Sequence, residues 1–133
     1  LRRVLFRSML APADVHRLVA ELSLPEIGDL STDATLTFEV AGKQFAWSWK
    51  ERVDPRKPRA TNLAVLAVRV AAEFKQTILE ADPSRYQADP HYDGFPAVLV
   101  RLDCVTEAEL KAMLANAWRC VAPKRLVASL SAN

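Results

Sequence analysis

The chain has 133 residues, half of them hydrophobic and about a quarter charged, with a formal net charge of +2. That length fits one ordinary domain rather than two, and the balance excludes whole-chain disorder. No apolar run approaches the roughly 18 residues that a membrane span requires, and a pair of cysteines, Cys104 and Cys120, suits a reduced, cytoplasmic protein better than a disulfide scaffold.

Residues 1–8 carry three arginines but no useful apolar stretch and no small-residue cleavage site, so they fail as a signal peptide. The run Arg-Val-Leu-Phe-Arg-Ser resembles the translation of a common sequencing adapter. We read 1–8 as a non-native segment, place the natural start at Met9, and take 9–133 as the domain. Without Arg2, Arg3 and Arg7 the formal charge turns from +2 to −1. Global charge is then no argument for nucleic acid, and any such argument rests on where the cations cluster.

From Ala13 to Leu22, Val15, Leu18, Val19 and Leu22 recur at helical spacing. Pro25 and Gly28 close that segment. Leu36, Phe38 and Val40 alternate with polar residues, as in a half-buried strand. Ala41-Gly42 then predicts a tight two-residue hairpin turn into Lys43–Trp49. A regular hairpin would set Phe38 opposite Phe45 and Leu36 opposite Trp47, with Trp47 in the core and Trp49 less decided. A third strand is expected over Leu63–Arg69. A helix is expected over Ala71–Ala81, offering Phe74, Ile78 and Leu79 to the core and ended by Pro83. Ser84–Pro96, with its aromatics and prolines, reads as extended or looped, and Ala97–Leu102 as a buried strand. Thr106 and Glu109 form a capping box for a helix that aligns Leu110, Met113, Leu114, Ala117, Trp118 and Val121. Pro123 precedes a short terminal helix over Lys124–Leu130. The resulting order is helix, three strands, helix, strand, helix: an α+β fold, an antiparallel sheet flanked by helices.

Several phrases together resemble the MmcQ/YjbR family. They are Ile78–Pro83, Asp89–Pro96 with the following Ala97–Asp103, and Ala117–Leu126. Leu24–Glu26 and Phe38–Ala46 match more loosely. The resemblance implies a YjbR-like α+β domain, with the winged surface and DNA-binding label that the family carries. That label rests on structural analogy, a modest warrant for chemistry. The chain departs from the pattern in a longer basic segment, 50–62.

In that segment Lys50, Arg52, Arg56, Lys57 and Arg59 sit among only Glu51 and Asp54, while Pro55 and Pro58 are expected to keep the chain open. Such cations suit phosphate contacts, and Lys43 can join them; the plainer alternative is a solvated loop. Arg119, Lys124 and Arg125 form a second basic cluster and a further candidate for DNA contact, for which complementing a helix dipole is the favoured role. Tryptophans can stack on bases, but core packing is their commoner role. His91, beside Tyr92 and Asp93, invites an acid–base reading. It lacks a second histidine or a nucleophile motif, so a structural role is expected and no enzyme is predicted. The cysteine spacing fits no zinc site, and Gly28, Gly42 and Gly94 form no phosphate loop, so neither metal nor cofactor is expected. The sequence reading is thus a DNA-binding domain that contacts phosphates with little sequence preference. Its rival is a protein-interaction or small-ligand module.

Overall fold

The computed structural model describes residues 10–131; the segment 1–8 assigned above to an adapter lies outside them. Helix α1 (Pro12–Leu22) starts with proline at its first position, where a missing N–H costs nothing. The Asp14 carboxylate accepts from the Ala11 amide at 2.8 Å. Ser23 ends the helix in the left-handed region (φ 52°).

Six strands follow: β1 (Ile27–Asp29), β2 (Thr37–Val40), β3 (Lys43–Glu51), β4 (Ala60–Arg69), β5 (Tyr86–Gln87) and β6 (Ala97–Arg101). They form one antiparallel sheet in the order β1-β2-β3-β4-β6-β5. Between β4 and β5 lie a 3₁₀ turn (Ala72–Phe74) and helix α2 (Lys75–Ala81). Helices α3 (Glu107–Val121) and α4 (Lys124–Ser131) close the chain. The α3 capping box forms as its sequence predicts: Thr106 Oγ1 accepts from the Glu109 amide at 3.1 Å and Glu109 accepts from the Thr106 amide at 2.8 Å.

Helices α1 and α3 pack on one face of the sheet. Phe38, Phe45, Leu66, Val68, Val98 and Val100 meet Val15, Leu18, Leu110, Leu114 and a fully buried Trp118 there. The Trp118 indole donates to the Pro25 carbonyl at 3.2 Å, which satisfies its one polar atom. Arg17, bonded to Glu21 and Glu107, and Lys111, bonded to Glu21, tie α1 to α3.

The hairpin departs from its expected register. Ala41 (φ 50°) and Gly42 (φ 80°) make the expected tight turn, with Val40 paired to Lys43. Glu39 then pairs with Gln44, but Phe38 pairs with Ala46, not Phe45, and Thr37, not Leu36, with Trp47. Phe45 is the extra residue of a bulge, and a one-residue shift in a period of two exchanges faces. Phe45 and Ala46 are therefore both buried against the helices, and Trp47 is moved to the opposite face. This overturns the placement of Trp47 in the main core. Ser48 takes the inward position instead, and its Oγ accepts from the buried Leu36 amide at 2.9 Å. A second irregularity, between Ser48 and Trp49, lets Ser48 pair with Leu66 and Trp49 with Asn62.

Three other expectations change. The helix expected over 71–81 is split, and Phe74 is 58% exposed because it falls in the 3₁₀ turn rather than on an inward helical face. Strands β1 and β5 extend the sheet beyond the four predicted strands. The basic segment is less open than its prolines suggest: Lys50 and Glu51 pair with Thr61 and Ala60, which leaves a loop only over 52–59.

Candidate nucleic-acid interface

The face of the sheet opposite α1 and α3 carries a smaller cluster of Val65, Ala67 and Leu99, against which Trp47, Trp49 and Tyr92 pack. Among the described residues no helix covers this face; the covering comes from the loop after β5. Two bonds fix that loop to the tryptophans. The Trp47 indole donates to the Tyr92 hydroxyl at 2.9 Å, and the Trp49 indole donates to the Asp89 carboxylate at 2.6 Å. Lys75 reaches in from α2 and donates to the Tyr92 and Phe95 carbonyls at 2.6 and 2.7 Å.

Beside this loop opens a cleft of about 590 Å³. Its aromatic lining is Trp47, Tyr92, Phe95 and His91; its charged lining is Lys43, Lys50, Arg59 and Arg69; Gln44 completes it. No carboxylate lines it. Lys43 and Lys50 are exposed at the two ends of β3, and their ammonium groups have no partner among the described residues. Arg69, at the end of β4, lies on the cleft side because Val65, Ala67 and Arg69 alternate with the inward Leu66 and Val68. Its guanidinium sits 4.9 Å from the Phe95 ring centroid. Sequence reading missed Arg69; the two-residue period of β4 with a terminal arginine was the available signal.

Arg59 is mostly committed. It donates to the Lys50 carbonyl at 2.9 Å and lies 3.8 Å from the Asp89 carboxylate. Burial alone would push the Asp89 carboxyl up, but the His91 amide, the Trp49 indole and the Arg59 charge together hold it below its ordinary value. Asp89 is thus an anion bound into the loop, and it caps the 3₁₀ turn Pro90–Tyr92. The His91 ring is exposed, packs edge-on to Tyr92 and makes no hydrogen bond among the described residues.

The other predicted cations separate. Arg52 donates to the Pro55 and Lys57 carbonyls at 3.4 and 3.1 Å and so folds the loop on itself. Arg56 and Lys57 project at its tip, Arg56 with 90% of its side chain exposed. Arg119 lines a different cleft, between α3 and the segment that follows β4. Arg125 is forked onto Glu26 at 3.0 and 3.2 Å. Lys124 is exposed beside it at the start of α4. Lys43, Lys50 and Arg59 therefore gather in one cleft, and Arg119, Lys124 and Arg125 stand outside it.

The YjbR family model matches residues 22–120. The chain belongs to the YjbR family. It is 35% identical over 127 residues to an uncharacterized protein of Mycobacterium bovis and to another of Mycobacterium tuberculosis, covering 90% of this chain and 95% of each relative. Its fold is similar to the crystal structure of Deinococcus radiodurans protein DR2400, a DUF419 domain, with a TM-score of 0.63 and 20% identity, over 94% of this chain and 91% of that one. At that identity the likeness speaks for the fold alone. Membership accounts for the α+β sheet-and-helix architecture of this YjbR chain. No helix among the described residues is long and apolar enough to cross a membrane.

Proposed function

We propose that this YjbR protein binds DNA through phosphate contacts in the cleft on the sheet face opposite α1 and α3, with little sequence preference and no chemical step. The observation that carries the reading is the cleft lined by four cations, by aromatic rings and by no carboxylate. Phosphate oxygens need forked or flexible cations with little competing negative charge. Lys43 and Lys50 supply this without breaking any internal bond, and Arg56 and Lys57 extend the positive surface at the loop tip. Arg59 contributes mainly by holding that loop to β3.

Titration with a DNA fragment across a range of salt tests the reading. If three cations displace counterions, log affinity against log salt should fall with a slope of about −2.7. Changing Lys43 and Lys50 together to Ala should flatten the slope by roughly 1.8 and weaken unrelated sequences alike, because phosphates carry no base identity. A parent protein without measurable binding at low salt would reject the proposal. It would favour the rival interaction or small-ligand module, for which the second cleft, with exposed Phe74 beside Met113 and Ile78, is the natural place.

A further inference from the structure

We infer that the cleft receives an unpaired nucleotide, so that the protein prefers single-stranded DNA to duplex. This rests on the phosphate-binding reading and adds to it the class of DNA. Phosphate contacts alone do not distinguish the two, since both present the same backbone. Aromatic rings do: in a duplex the base faces are covered by their neighbours, whereas an unpaired base can lay its face on a side chain.

The rings here are placed for that use. Phe95 is 39% exposed although it belongs to an aromatic group, with Tyr92 at 6.1 Å and Trp47 at 6.4 Å between ring centroids. Arg69 lies over the ring, and a guanidinium plane is itself a surface on which bases stack. Lys75 holds the carbonyls on either side of the Asp93-Gly94 turn, so the ring is positioned before any ligand arrives and little ordering cost remains. The cleft volume of about 590 Å³ lies within the range of small-ligand sites, roughly 300–1,000 Å³, and is far more than a lone phosphate fills. Lys43 and Lys50 stand near opposite ends of β3, about 20 Å apart along the strand, so a single strand of several nucleotides crossing the cleft meets a cation at each end. Few groups are left to read base identity, because the Trp47 N–H is already spent on Tyr92; beside the cations, the Gln44 amide, the His91 ring and the Tyr92 O–H remain in the lining.

Anisotropy titrations with a labelled oligothymidylate and with a duplex of equal length, at one low salt concentration, separate the cases. The single strand should bind roughly tenfold tighter or more, the scale of one stacked base. Phe95→Leu, which keeps an apolar side chain but removes the ring, should weaken single-strand binding far more than duplex binding and so lose most of that preference; Phe95→Trp should retain it. Circular dichroism and the melting temperature of each variant verify the fold. Equal affinities for strand and duplex, or a Phe95→Leu protein that keeps the preference, would overturn the inference and leave phosphate binding standing. Absence of binding to either DNA would overturn both.

Discussion

Ser48 shows how much one hydroxyl can carry. It is the one buried polar side chain among the described residues, 1% exposed, and it occupies the inward site that a regular hairpin would have given to Trp47. Its Oγ accepts from the Leu36 amide, and its own amide donates to the Leu36 carbonyl at 2.9 Å. Removing the hydroxyl leaves a buried N–H without a partner, at a cost of about 1–3 kcal/mol. Ser48→Ala should therefore lower the unfolding free energy by that amount in a denaturant titration, despite being a small and apolar change. A loss under about 0.5 kcal/mol, the scatter expected of surface changes, would mean that water replaces the hydroxyl.

At the scale of the element, the β2–β3 hairpin is the most instructive. Its turn demands positive φ at both central positions, yet the first is Ala41 at φ 50°. An L-residue with a Cβ is disfavoured there by roughly 1–2 kcal/mol, whereas asparagine tolerates the region. Ala41→Asn should raise stability by about 1 kcal/mol, measured as a shift in denaturant midpoint with unchanged slope; no gain would indicate relief elsewhere in the turn. The turn, α1, α3 with its capping box, and β6 were all legible in the sequence, because each is marked by local chemistry: a Gly at the turn, a cap, a period. The bulge at Phe45 was not, since consecutive apolar residues such as Phe45 and Ala46 fit either face until the partner strand fixes the pairing. Strands β1 and β5, of three and two residues, are too short to show a period at all. The same limit governed the site. Lys43, Lys50 and Arg59 were found as a charge cluster, but their assembly with Arg69, His91, Tyr92 and Phe95 depends on the β5–β6 loop folding over the sheet.

At the scale of the whole molecule, many carboxylates share one direction of shift. Asp14, Glu21, Glu26, Asp29, Asp82, Asp89, Asp103 and Glu109 all lie below their ordinary values. A depressed native pKa means that the unfolded chain binds more protons near pH 4, so stability rises with pH there. The contribution is complete above the unfolded values of about 3.9–4.3 and is lost as pH falls through the native ones. The melting temperature should accordingly be steady between about pH 7 and 5 and fall below about pH 4. Most of these groups are substantially exposed and contribute little each. Asp89, with its side chain 10% exposed and bound to Trp49 and His91, matters most. Asp89→Asn should lower the melting temperature at neutral pH and make the acid limb shallower; parallel curves for variant and parent would assign the acid loss to the other carboxylates. The division of tryptophans between the two faces has an optical consequence. Trp118 is sealed among the helices, while Trp47 and Trp49 lie under the loop that borders the cleft. Intrinsic fluorescence therefore mixes a silent interior emitter with two at the binding face. Replacing Trp118 with Phe would leave emission that reports cleft occupancy and loop opening without any attached dye.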